Sequence, residues 1–134
     1  MGEYKTKFSD YKTNSYGCRN CANTGTSIAE RKWLDELDIS IYQYRIKYED
    51  NRYYYVDGYD EKTNTVYEYL GDYWHGNLKV YKSDFLNKKT KKTMGELFDY
   101  TEKRFVKISE MGYNIKYIWE SSNEIKKFSS KLEI

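Results

Sequence analysis

The chain has 134 residues, 23 lysines and arginines against 21 aspartates and glutamates, a net charge of +2, 17 tyrosines and no proline. That length supports one domain around a single core. No apolar run of about 18 residues marks a membrane span, and the opening MGEYKTKFSDYK lacks the apolar centre of a signal peptide, so a soluble intracellular protein is expected. With so small a net charge, the placement of charges carries more information than their sum.

Residues 1–25 are polar and show no period, which predicts an arm that carries the two cysteines in Cys18-Arg19-Asn20-Cys21. A CxxC pair is half of a tetrahedral zinc site, and a second copy of the chain could supply the other half; no strand-turn-helix context points to redox chemistry. The missing partner ligands favour a reduced, idle pair. Ser27-Ile28-Ala29-Glu30 then matches the S-x-x-E capping box, with Ala29, Trp33, Leu34 and Leu37 on one stripe, and predicts a helix over 28–37. Glu30 has a structural role ready in that box. It also lies at the edge of the apolar face, where it can reach toward a sheet.

Residues 39–47 alternate as a strand, and Glu49-Asp50-Asn51-Arg52 turns the chain into two aromatic-apolar runs, 53–58 and 66–70, joined by a polar loop. If Asp60 faces Thr65 across that loop, Asp57 falls opposite Glu68 on the same face, about 5 Å apart at Cβ. Two carboxylates so placed repel unless a cation lies between them, and a hard divalent ion such as Mg²⁺ or Mn²⁺ suits oxygen ligands. The plainer alternative is a solvated acidic pair. The chain's only histidine, His75, follows within Gly71-Asp72-Tyr73-Trp74-His75-Gly76. An imidazole beside such a pair can accept a proton from water.

Next comes a basic loop in which Lys79, Lys82, Lys88, Lys89, Lys91 and Lys92 meet the single acid Asp84. This is either a solvated loop or a surface for a phosphodiester backbone, since lysines that neutralise phosphates supply most nonspecific nucleic-acid affinity. Thr93-Met94-Gly95-Glu96 is a second capping box, opening a helix with Leu97, Phe98, Thr101, Phe105 and Ile108 inward and Gly112 as its stop. Residues 114–119 read as a strand. Ser121-Ser122-Asn123-Glu124 then predicts a last helix with Ile125, Phe128 and Leu132 inward. The order helix, three strands, helix, strand, helix defines an α/β fold with a mixed sheet flanked by helices. A P-loop, a dinucleotide-binding glycine fingerprint and a nucleophile elbow are all absent, which sets aside the enzyme classes that need them.

Taken together, Ser27–Arg31, Val56–Gly58, Val66–Gly76, Gly112–Asn114 and Ile118–Ser121 resemble the very-short-patch repair endonuclease family. The likeness is greater to its relatives among phage-encoded homing and nicking endonucleases of the restriction-endonuclease-like PD-(D/E)XK group. It covers residues 26–122 in unbroken order. The resemblance implies a nuclease domain over 26–134, a DNA partner and a Mg²⁺ or Mn²⁺ cofactor, acting in a cytoplasm, that of the host where the gene is a phage's. It implies Asp57 as the first metal ligand, Glu30 as a ligand to metal-bound water, His75 as the base and Glu68 as the acid of the wider pattern. Tyr73 and Trp74 would press against base pairs. Two positions depart from the pattern. The lysine of the E-x-K motif is Leu70, and the acid expected on the helix after the basic loop has only Thr101 or Glu102 nearby, with Glu102 the candidate. These departures leave open a nucleic-acid-binding module on an impaired nuclease fold. A third alternative is an interaction domain assembled through Cys18 and Cys21. Monomer and homodimer both remain open.

Overall fold

The computed structural model describes residues 24–134, with side chains from residue 28, so Cys18 and Cys21 lie outside the described residues. The chain divides after Trp33 into two units, and the division falls within helix α1, Thr24–Glu36. The second unit, Leu34–Ile134, carries strands β1 (Ile41–Glu49), β2 (Arg52–Asp60) and β3 (Thr65–Leu70). They are followed by a one-turn helix α2 (Asp72–His75), a small hairpin of β4 (Leu86–Asn87) and β5 (Lys92–Thr93), helix α3 (Met94–Glu110), and strands β6 (Asn114–Trp119) and β7 (Lys126–Lys127). The main sheet has the order β1-β2-β3-β6-β7. β3 and β6 are parallel and the other neighbours antiparallel, so the sheet is mixed and the fold is α/β, as the element order predicts.

A parallel pair needs a crossover connection, and α2, the small hairpin and α3 together supply it between β3 and β6. α3 starts where the sequence places it. The Thr93 hydroxyl accepts the Glu96 N–H at 3.2 Å, and the Glu96 carboxylate accepts the Thr93 N–H at 2.8 Å. Both are donors that an uncapped helix start would leave orphaned. The buried residues Leu97, Thr101, Phe105 and Ile108 form its inner stripe. The Phe105 ring meets the edges of Tyr117 and Phe128, each at 5.4 Å. Val56, Val66, Leu70, Ile115, Tyr117 and Trp119 complete this core from the strands, each such side chain contributing about 1.5–3 kcal/mol on burial. Leu34 lies against β2 at Gly58, where an added Cβ would come within 2.7 Å of the leucine Cδ2. The glycine is there to admit the leucine. Many of the tyrosines pair on the strands, as in the Tyr44–Tyr59 stack at 4.1 Å and the Tyr48–Tyr54 stack at 4.2 Å.

Two sequence-based expectations are corrected. α1 begins at Thr24, so Ser27 lies inside the helix and its capping box is not the helix start. The last helix does not form. After Trp119 the chain turns, pairs briefly with β6 through Lys126 and Lys127, and runs on without regular structure. Phe128 and Leu132 are buried as expected, but Ile125 is exposed. The tail is held by long-range bonds instead of helical ones: the Trp119 indole N–H donates to the Glu133 carbonyl at 2.7 Å, and the Glu133 N–H donates to the Tyr117 hydroxyl at 2.9 Å. Among the described residues, no helix is long and apolar enough to cross a membrane.

Candidate functional site

The site grows from the hairpin of β2 and β3. Asp60 shapes the turn by accepting the Lys62 N–H at 3.2 Å and the Thr63 hydroxyl at 3.0 Å, and Asn64 adopts the left-handed conformation (φ 54°) that closes it. The resulting register pairs Asp60 with Thr65, Tyr59 with Val66 and Gly58 with Tyr67. One step further the ladder would join Asp57 to Glu68, but there the strands part. β2 stays with β1, where Val56 pairs with Tyr44. β3 stays with β6, where Glu68 pairs with Tyr117.

At this fork each acid accepts a backbone N–H of the opposite strand. The Asp57 N–H donates to Glu68 Oε2 at 3.0 Å, and the Tyr69 N–H donates to Asp57 Oδ2 at 2.7 Å. Charge-assisted bonds of this kind are about twice as strong as neutral ones, and they replace the ladder bonds lost where the strands separate. The two acids are thus cross-bonded between the strands, although the direct pairing expected of Asp57 and Glu68 does not form because the ladder ends at Gly58 and Tyr67.

The cation beside them is Arg104 of α3, which the sequence reading missed. Its Nη1 forms an ion pair with Glu68 Oε1, and its Nη2 donates to the Tyr55 carbonyl on the other arm of the fork at 2.6 Å. The guanidinium carbon lies 5.6 Å from the centre of the Tyr54 ring. Only 13% of the arginine side chain and 4% of the glutamate side chain are exposed, so neither charge is dispersed by water. Burial pulls the Arg104 pKa down, but Glu68, with Asp57 behind it, outweighs that and raises it above the ordinary arginine value. The one signal in the sequence is spacing. Arg104 follows Thr101 by three positions, which places both on one side of a helix.

His75 ends α2, and Gly76 follows it in the left-handed conformation at φ 74°. An added Cβ at Gly76 would meet the Met94 carbonyl oxygen at 2.2 Å and the Phe98 nitrogen at 2.7 Å, so only glycine lets α2 close on the start of α3. His75 Nδ1 lies 3.1 Å from the Thr101 hydroxyl, which itself donates to the Leu97 carbonyl at 2.9 Å. With that proton committed, the hydroxyl accepts from Nδ1–H, and the network assigns the lone pair to Nε2. Burial pushes the imidazole pKa down; Glu68 pulls it up and Arg104 down again, leaving it at about 4. His75 is thus a neutral imidazole at pH 7, oriented by Thr101, in the same electrostatic field as Glu68 and Arg104.

The lysine loop folds as the β4–β5 hairpin and is fastened to α2 by Asn87. Fully buried, Asn87 donates from Nδ2 to the Tyr73 carbonyl at 2.9 Å and accepts the Lys89 and Thr90 N–H groups at 2.8 and 3.0 Å. Tyr73 also accepts the Lys88 N–H through its hydroxyl at 3.2 Å, so it anchors the loop and is only partly accessible. Trp74 is 38% exposed, and Val80, Phe85 and Leu86 are exposed with it. Lys79, Lys82, Lys88, Lys89, Lys91 and Lys92 are all exposed around them.

The remaining candidates are Glu30, Glu102 and the Leu70 position. Glu30 belongs to the first unit, on α1, and is partly buried there. Glu102 does not turn toward His75: its Oε2 accepts the Leu132 N–H at 2.9 Å and fixes the C-terminal tail, while Thr101 takes the position beside the imidazole. Leu70 is fully buried in the core, leaving no room for a lysine beside Glu68 on β3. A polar cleft of ≈590 Å³ beyond the ends of β3 and β6 is lined by Asn77, Lys79, Glu120, Ser121 and Lys126 among others, and Asp57, Glu68, His75 and Arg104 do not line it. Among the described residues, no three acids, histidines or cysteines are grouped to hold a metal ion. The arrangement therefore offers two carboxylates, a buried arginine and a neutral imidazole. In comparisons with known proteins, the chain matches no family model, no curated protein and no solved structure.

Proposed function

We propose that this chain is a Mg²⁺- or Mn²⁺-dependent DNA endonuclease of the very-short-patch repair type, acting in the cytoplasm. The observation that carries this reading is the fork, where Asp57 and Glu68 are cross-bonded between the strands with a neutral imidazole and a cation in the same field. Carboxylate oxygens have two lone pairs each and are the donor type that a hard divalent cation takes. Asp57 and Glu68 would hold the ion, which when bound polarises a phosphate oxygen. Nε2 of His75 accepts the proton of an attacking water. Its low pKa keeps it free of protons but makes it a weaker base than one poised near 7. The exposed lysines bind the DNA backbone and set its position without reading sequence. Trp74 and the apolar residues around it offer a face for a base step.

The test is cleavage of supercoiled plasmid with Mg²⁺, Mn²⁺ and EDTA, comparing the unaltered protein with Asp57→Asn. An asparagine oxygen can still accept the Tyr69 N–H, so the fork keeps its bond and loses its charge. Cleavage falls by at least about 100-fold while DNA binding persists. Undiminished cleavage by Asp57→Asn with Mg²⁺ would overturn the reading. Nicked or linear product separates single-strand from paired action, and with it a working monomer from a homodimer.

One observation favours a second reading. Both Glu68 oxygens are engaged by protein groups, and the described residues bring no third acid to the fork. A DNA-binding module without catalysis would show salt-sensitive binding and no strand scission in any metal.

A further inference from the structure

β3 brings no cation to its acid. Two residues beyond Glu68, where a strand presents the same face again, stands the fully buried Leu70. A centre that hydrolyses phosphodiesters gathers negative charge on the phosphate as attack proceeds, and a positive group already in place lowers the barrier more than one that must be recruited from solvent. We infer that Arg104, entering from α3, is that group: it neutralises Glu68 in the resting protein and offers its remaining N–H donors to the phosphate oxygens of the substrate. This rests on the nuclease reading above.

The geometry suits the task. A guanidinium carries five N–H donors in a rigid plane. Arg104 spends one nitrogen on Glu68 and another on the Tyr55 carbonyl, 2.6 Å away, so the plane is held on both arms of the fork and cannot swing. Its side chain is 13% exposed, so it is not wholly sealed from solvent. One turn earlier on the same helix, Thr101 orients His75. A single rigid element thus sets the positions of the base and the cation together. A lysine on β3 could not be tied to both arms in this way, nor could a lysine at position 104, which has one nitrogen to share between Glu68 and Tyr55.

The experiment measures kcat and KM for Mg²⁺-dependent cleavage of a DNA duplex by the unaltered protein, Arg104→Lys and Arg104→Gln, with a thermal melt of each. Arg104→Gln lowers kcat by at least about 100-fold and changes KM less than about threefold, because the contact strengthens only as charge develops; Arg104→Lys lowers kcat by about tenfold. A folded Arg104→Gln with kcat within about twofold of the unaltered protein, or a loss confined to KM, overturns the inference and leaves the nuclease reading standing. If Arg104→Gln does not fold, Arg104→Lys decides, since its retained charge preserves the ion pair; a kcat within about twofold then overturns the inference. An unaltered protein that cleaves nothing in Mg²⁺ or Mn²⁺ overturns both.

Discussion

The perturbed titration of His75 can be read without any assumption about activity. Burial holds its pKa at about 4, against an ordinary value of about 6.5. The sign follows from linkage. Between those two values the unfolded chain takes up a proton that the folded chain refuses, so stability falls as the pH drops through about 6.5 and levels off below about 4. The full shift of about 2.5 units corresponds to about 3 kcal/mol, of which about 2.5 kcal/mol is lost by pH 4.5. Replacing the imidazole by an amide in His75→Gln removes this contribution and can keep a donor to the Thr101 hydroxyl. Urea denaturation in EDTA at pH 7.0 and 4.5 gives the comparison. The unaltered protein should lose about 2–3 kcal/mol more than the variant across that interval, because every other titrating group is common to both. Equal losses, within about 0.5 kcal/mol, would show that His75 is solvated and protonates normally. As His75 is the only histidine, its ring resonances in an NMR titration report the same pKa directly.

Two stability predictions test the elements that bring the site together. Gly76→Ala should cost at least about 3 kcal/mol in chemical denaturation, because the new Cβ meets backbone atoms of α3 at 2.2 and 2.7 Å and the residue must keep a positive φ. Thr93→Ala removes the acceptor of the Glu96 N–H and should lower stability by about 1 kcal/mol in a thermal melt, while Thr93→Ser keeps most of it.

What the sequence makes legible is what local bonding decides. The register of the β2–β3 hairpin, from Asp60 with Thr65 to Gly58 with Tyr67, follows from the length and chemistry of the 61–64 loop, in which Asp60 and Asn64 act on neighbours a few residues away. The start of α3 follows from Thr93 and Glu96, three positions apart. Ser27 and Glu30 present the same spacing, yet the helix runs back past them to Thr24, so spacing alone does not say where a helix begins. The apolar spacing of Ile125, Phe128 and Leu132 suits a helix, but bonds from Glu102, Tyr117 and Trp119 draw the tail into an irregular path that still buries two of the three. Arg104 is 36 residues from Glu68 and becomes a partner only once α3 has docked on the fork. Asn87 is equally silent in the sequence: its place as the fastening of the lysine loop depends on where Tyr73 ends up.

The fork can be explained on structural grounds alone only in part. Parting strands expose N–H and C=O groups whose burial without partners costs about 1–3 kcal/mol each. Asp57 and Glu68 satisfy two of the donors, and Arg104 satisfies one acceptor, the Tyr55 carbonyl. Asparagine or glutamine would satisfy the same N–H groups with no repulsion to relieve. Choosing ionised acids creates a need for a buried cation, and buried ion pairs are often no more stabilising than apolar side chains of the same size. The 13% exposure of Arg104 and 4% of Glu68 place this pair in that regime. Fold stability therefore accounts for acceptors at positions 57 and 68 but not for their charge. The proposed role as cation ligands would account for it, and a folded Asp57→Asn that binds DNA without cutting it is the outcome that separates the two explanations.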